Sequence, residues 1–236
     1  MCTVSYIGQG NGNFLLTSNR DVPANRSSPI VDTLKNNATS LIYPKDAQAD
    51  GTWIAMSSDG RVVCLLNGAF KKHQPKPSYR KSRGLMLLEF FGFKDAQDFF
   101  ERYNFQGIEA FTFIICEREG IWEFRWDETQ KHIQSLDINA KYIWSSAPLY
   151  DDIVQQKRRN WFNNWAENQD NITLSSIIDF HLNGGEKDNW NGFMMNRMNL
   201  VQTVSNTSIQ KTNTKLSMRF HDFISDTKMT KTLRTI

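Results

Sequence analysis

Apolar and polar positions alternate with a period of two near both ends of the chain and in its middle, and lengthen to helical spacing between those stretches. Cys2-Thr-Val-Ser-Tyr6 and Phe14-Leu-Leu-Thr-Ser18 read as strands. Gly8-Gln-Gly-Asn-Gly-Asn13 joins them and is dense in residues that accept positive φ, so the chain opens on a hairpin. A polar stretch through Pro23, Pro29 and Asn36-Asn37 precedes a second hairpin, Thr52 to Ser57 and Val62 to Leu66, turned by Ser58-Asp-Gly60. Leu85, Leu88 and Phe91, then Ala96, Phe99, Phe100 and Tyr103, fall at helical spacing behind Ser82 and Asp95 as N-caps, which predicts two successive helices. Strands over 111–117, 121–126, about 132–135 and 141–145 form a predicted meander whose first turn is Glu119-Gly120. Helices follow over 151–167 and 173–183, the second stopped by Gly184-Gly185, and strands close the chain near 200–209 and 216–220. The polar residues after Asp226 predict a mobile tail, about 227–236.

Strands, two helices, strands, two helices, strands is an order that favours antiparallel sheets with helices grouped on their outer faces over an alternating parallel sheet. The expected fold is therefore α+β, a four-layer α/β/β/α sandwich. At 236 residues a single domain spanning 1–236 is ordinary. With 39% hydrophobic residues, among them 7 Trp and 16 Phe, an aromatic core is feasible and disorder is excluded. No window approaches the ~20 apolar residues of a membrane span, so no integral membrane segment is expected. A net charge of +3 is too mild for the basic stripe that nucleic-acid binding requires.

Three cysteines without metal-type spacing point to a reducing, cytoplasmic location rather than a disulfide framework. Cys64 and Cys116 lie in apolar strand-like runs and read as small buried hydrophobes. Cys2 does not. A small second residue ordinarily allows Met1 to be removed, which would leave Cys2 with a free α-amine. An α-amine ordinarily titrates at ~7.7–8.0 and a thiol at ~8.5, so the amine can take the thiol proton, giving nucleophile and base in one residue. In the opening hairpin Cys2 is expected opposite about Asn19, which brings Arg20 and Asp21 to the same sheet end. Arg20 could stabilise the thiolate or hold a substrate carboxylate, and Asp21 could hold the α-ammonium. The Gly8-x-Gly10 pair does not make a dinucleotide loop, because Asn13 replaces the third glycine and a strand follows. His132, His181 and His221 lack ligand spacing, so no metal is expected, and nothing calls for a cofactor.

Met1-Cys2, a strand, Asn19-Arg20-Asp21 and the trailing Arg26 to Pro29 resemble the N-terminal pattern of the NRDE family, also called the transport and Golgi organisation type two family. Gly51-Thr52-Trp53, Leu66-Asn67-Gly68, Tyr79 to Gly84, Trp144 to Ala147, Lys157 to Trp161 and Thr203 to Ser205 extend the resemblance over almost the whole chain, closest to bacterial members. That family is similar to the N-terminal-nucleophile (Ntn) hydrolases, which have the α/β/β/α fold and attack amides with an N-terminal Cys. The resemblance implies hydrolysis of a carbon–nitrogen amide bond, with Cys2, Arg20, Asp21 and Asn67 catalytic, Asn67 donating to the oxyanion. Asn19, Ser145, Ser146 and Arg80 are the expected substrate-binding residues, Ser145 or Ser146 serving as a further donor. Val22 stands where the family has Glu, and Ser146 and Val204 stand where the related hydrolases have an Asn and a late Arg.

The run Lys71, Lys72, His73, Lys76, Arg80, Lys81 and Arg83 is free of acidic residues and could steer an anionic ligand, or be a solvated loop. Trp161 and Trp165 suit core packing, and Phe193, Met194, Met195 and Met198 suit either core or the wall of an apolar pocket. The expected partner is a small amphipathic or anionic molecule. The alternative to a hydrolase is a non-catalytic carrier on the same fold, binding or trafficking haem or a lipid.

Overall fold

The computed structural model describes residues 2–35, 39–118 and 120–235, with the side chain of Cys2 outside that set. The opening hairpin is β1 (Cys2–Gly8) and β2 (Phe14–Val22), paired from Cys2↔Arg20 to Gly8↔Phe14. Pairing runs on to Gly8↔Phe14, so Cys2 faces Arg20 rather than Asn19, one residue from the expected register. Gly10, Asn11 and Gly12 carry the turn at positive φ.

The stretch expected as polar loop contains two strands, β3 (Val31–Lys35) and β4 (Ser40–Pro44). β3 is a sheet edge whose side chains are half-buried or exposed, so its sequence lacks a hydrophobic face to reveal it. The Asn36-Asn37 pair lies outside the described residues, as does Glu119 of the predicted turn. Then come β5 (Ile54–Ser57), β6 (Val62–Asn67), α1 (Arg83–Phe90) and α2 (Ala96–Arg102), the helices capped by Ser82 and Asp95 as expected. β7 (Phe111–Glu117), β8 (Gly120–Trp126), β9 (Lys131–Leu136) and β10 (Lys141–Ser145) precede α3 (Asp152–Glu167) and α4 (Leu174–Asn183). The chain closes with β11 (Asn196–Arg197), β12 (Val201–Thr212), β13 (Lys215–Asp222) and β14 (Thr227–Arg234).

Two antiparallel sheets result. One runs β10-β1-β2-β12-β13-β14 with β11 beside β12, and the other runs β3 to β9 in sequence order. Two expectations are corrected here. β10 does not continue the meander from β9 but crosses to the first sheet and pairs with β1, Thr3 opposite Ser145. Its Tyr142 and Trp144 pack into the core between the sheets, burial they would lack at the second sheet's edge. The second correction concerns 227–234, which is no mobile tail. It pairs with β13 along its length and turns Met229 and Leu233 inward, while its remaining polar side chains give the edge strand a tail-like composition.

Alternation sorts the side chains into three apolar layers. Between the sheets, Val4, Tyr6, Leu16 and Ile209 meet Ile54, Met56, Cys64 and Ile114. The other face of the β3–β9 sheet carries α1 and α2 through an aromatic cluster around Phe99. The other face of the first sheet carries α3 and α4 through Leu15, Phe162, Ile177, Phe180 and Phe193. The order of layers is therefore α/β/β/α. Each fully buried Phe or Leu contributes on the order of 1.5–3 kcal/mol, so these seams dominate the stabilising side of the balance. No helix among the described residues is long and apolar enough to cross a membrane.

Candidate active site

The end of β2, the end of β6 and the start of α1 meet at a cleft of about 380 Å³, whose walls include Arg20, Val22, Asp46, Trp53, Asn67 and Arg83. Arg20 shares a sheet face with Leu16, four positions earlier, and so enters the space between the sheets. It is 3% exposed. Its guanidinium lies 4.0 Å over the Trp53 ring and donates to Asp46 Oδ2 at 2.6 Å and to the Arg26 carbonyl at 2.8 Å. Asp46 Oδ2 also accepts from Arg26, and Oδ1 accepts from the Gln48 and Ala49 backbone amides, so the loop after β4 is built around this carboxylate. A buried Arg with a charge-assisted partner and an aromatic face holds one orientation.

Asn67 ends β6 and lines the same cleft. Gly68 follows at φ +78, donating to the Ala110 carbonyl at 2.9 Å, and an added Cβ there would come within 2.5 Å of Pro148 Cδ. The 67–68 turn is thus seated directly on the segment that leaves β10. That segment carries Ser146, 1% exposed, whose hydroxyl has no hydrogen-bond partner among the described residues. The backbone of Cys2 is paired with Arg20 on one side, and Thr3, next along the strand, is paired with Ser145 on the other. Cys2 therefore begins its strand between Arg20 and the Ser145-Ser146 end of β10. The Cys2 thiol and Met1 lie outside the described residues.

Asp21, next to Arg20 in sequence, is sent to the opposite face by the period-two alternation. There it accepts from Thr203 Oγ1 at 2.8 Å and from the Tyr150 hydroxyl at 3.3 Å. Burial pushes its carboxyl above the usual range, while Arg158 and the two hydrogen bonds pull it back. Asn19 shares this face and is fully engaged, donating to the carbonyls of His181 and Phe193 and accepting from Asn206. His181 Nε2 lies 2.7 Å from Ser5 Oγ, and burial, with Arg158 nearby, lowers its pKa to about 3. Arg158 comes from α3 and bonds Ser145 Oγ at 2.9 Å.

Of the expected site residues, the structure places Arg20 and Asn67 on the walls of one cleft, Arg20 being the strand partner of Cys2, and Ser146 on the segment against which the 67–68 turn packs. It places Asp21, Asn19 and Ser145 behind β1, on the α3/α4 side. Arg80 is elsewhere, donating to the carbonyls of Gln106 and Asn104 beside α2. Of the basic run, Lys81 and Arg83 line the cleft, but acidic residues from later in the chain answer much of its charge. Arg83 pairs with Glu109 at 2.9 Å, Lys81 with Glu89, and Lys76 with Glu128. Phe193 and Met195 are core, and Met198 is 77% exposed. Asp46, Trp53, Tyr150, Thr203 and Arg158 join the site without being expected there from sequence. Trp53, Thr203 and Arg158 fall within motif stretches that resemble the family, which is the signal that marks them. Among the described residues no group of three or more His, Cys, Asp or Glu side chains is placed to hold a metal ion.

Solved structures with this arrangement of layers include two variants of conjugated bile acid hydrolase from Clostridium perfringens. They match with TM-scores of 0.55 and 0.57 at 10% and 12% identity, over 100% of this chain and 97% of theirs. The N-acylethanolamine-hydrolyzing acid amidase ortholog of Caenorhabditis elegans matches with a TM-score of 0.52 at 15% identity, over 88% of this chain and 92% of that one. At such identities the likeness establishes the Ntn-hydrolase fold and nothing finer. No curated protein sequence matches the chain. The family described as transport and Golgi organisation 2 matches residues 1–233, and with the fold and the Cys2–Arg20 strand pair in view, this chain belongs to that family.

Proposed function

We propose that the cleft is the active site of a cysteine amidohydrolase that cleaves the carbon–nitrogen bond of a small amphipathic amide, with Cys2 as nucleophile. The observation that carries this reading is that Arg20, the strand partner of Cys2, and Asn67 line one cleft, with Ser146 on the segment that packs against the 67–68 turn. Once Met1 is removed, the α-amine of Cys2 takes the thiol proton and the thiolate attacks the amide carbonyl. The Asn67 amide and the Ser146 hydroxyl, which has no partner among the described residues, are the donors for the oxyanion that forms. Collapse of that intermediate breaks the C–N bond, the α-ammonium gives its proton to the departing amine, and a thioester remains. Water then attacks the thioester with the amine as base, releasing the carboxylic acid and restoring the thiol. Arg20 orients the thiolate or a substrate carboxylate. Asp21 acts from behind the strand, where its buried carboxylate favours the α-ammonium. The fold neighbours named as a hydrolase and an amidase support this class of reaction. Cys64 and Cys116 sit in the core as small buried hydrophobes, a use of cysteine that suits a reducing cytoplasm.

One observation favours a carrier instead. Val22, with Trp53 and Leu65, gives the cleft an apolar strip where the family motif has a carboxylate. Its apolar side chains suit an acyl chain.

Kinetics on a fluorogenic acyl amide separate the readings. Asn67→Ala is expected to lower kcat about 100-fold with KM nearly unchanged, since an oxyanion donor acts only in the transition state. Ser146→Ala should show a smaller loss of the same kind. Unchanged kcat in both variants would remove the oxyanion assignment, and binding of fatty amides without turnover by the wild type would favour the carrier.

A further inference from the structure

Arg158 stands in the middle of α3, where an Arg ordinarily reaches water, yet it is fully buried against the first sheet. Its Nε donates to Ser145 Oγ at 2.9 Å, one terminal nitrogen donates to the carbonyls of Asn191 and Gly192 at 2.5 and 2.8 Å, and the other donates to Thr3 Oγ1. The rings of Tyr150 and Phe193 lie 4.1 and 4.5 Å from it. These four partners are neutral oxygens, so contact does not neutralise the cation. The carboxylate that senses it is Asp21, which joins the cluster through the Tyr150 hydroxyl. A buried cation held this way is costly, and apolar side chains would pack the helix with a smaller penalty. Its position explains its presence. Thr3 follows Cys2 on β1, and Ser145 is Thr3's partner on β10.

We propose that Arg158 is a positioning residue for the nucleophile: it clamps the start of β1 to the end of β10 and sets a buried positive charge behind them that favours the Cys2 thiolate. This rests on Cys2 being the reactive group of the proposed function. The other ionisable groups around the clamp are Asp21, Tyr150, His181 and Arg197, with Arg20 on the far face of β2.

The test is the pH profile of Cys2 alkylation by iodoacetamide in the full chain, read by peptide mass. Cys64 and Cys116 are buried and react slowly in the folded protein. Arg158→Met is expected to raise the midpoint by about one pH unit or more, which at pH 7 is roughly tenfold slower labelling. Arg158→Gln, which keeps hydrogen-bonding groups without the charge, should shift it in the same direction and carries the test if the Met variant does not fold. Phe162→Leu, buried on the same helix, controls for lost packing and should lower Tm with a wild-type profile. Wild-type profiles in the Arg158 variants would overturn the inference, as would a wild-type Cys2 no more reactive than the buried thiols. Amide cleavage is not part of the readout, so a protein that shows the shift but hydrolyses nothing would refute the hydrolase reading and leave the role of Arg158 standing.

Discussion

Cys2→Ala is expected to abolish amide turnover, leaving a folded protein whose rate is the uncatalysed background. The proposed chemistry passes through a thioester, and no other thiol can take the place of Cys2. Cys64 is fully buried in the core between the sheets, and Cys116 is buried with its thiol pushed far above the ordinary range by burial and then by the neighbouring Glu117. A thiol that stays protonated and is walled in by the core is neither nucleophilic nor reachable. Removing a nucleophile that acts together with its own base costs as much as removing both, so the loss should reach several orders of magnitude rather than the hundredfold of a single donor. Stability should change little, because an Ala at the first residue of β1 keeps the backbone pairing with Arg20. Hydrolysis at wild-type rates by the folded Ala variant would place the nucleophile elsewhere.

Acid should destabilise the wild type through His181 by about 3 kcal/mol between pH 7 and pH 4, and His181→Gln should lack that loss. Buried beside Ser5 and under the influence of Arg158, the imidazole titrates at about 3 when folded, against the ordinary 6.5. A folded-state pKa that is depressed contributes stability above the unfolded value and loses it as pH falls, because the unfolded chain binds the proton first. The window therefore runs from about 6.5 down to about 3. Asp21 has the opposite sign. Its folded-state pKa is raised, so its contribution is present at low pH and is lost as pH rises through the raised value. Urea denaturation of both proteins at pH 7 and pH 4 isolates the histidine as the difference between the two slopes. Parallel losses in wild type and variant would show that His181 does not carry the effect.

The sequence disclosed those parts of the fold whose causes are local. Gly8 to Asn13 could only be a turn between two alternating segments, and Ser82 and Asp95 cap their helices through side chains three residues from the amides they accept from. Edge strands were hidden, because β3 and β14 bury few side chains and composition does not separate them from loops. The crossing of β10 from one sheet to the other was hidden for a different reason. An alternating strand states which faces it has but not which neighbour covers them, and only the meeting of Tyr142 and Trp144 with the core between the sheets decides that.

The candidate site divides along the same line. Cys2 with Arg20 was legible from the hairpin to within one residue. The parting of Arg20 from Asp21 also follows from alternation, since adjacent strand residues face opposite ways. Asp46 as the anchor of Arg20, Trp53 beneath its guanidinium, and Arg158 behind Thr3 depend on contacts between distant segments that no local pattern encodes.

Cys2 acts as an N-terminal nucleophile only with a free α-amine, and the intact mass of the protein purified from a bacterial cytoplasm reads that amine out. A mass lacking Met1, with an unmodified α-amine on Cys2, is the expected result. A retained or acylated Met1 would contradict that role of Cys2, because the thiol would then have no free amine of its own to take its proton.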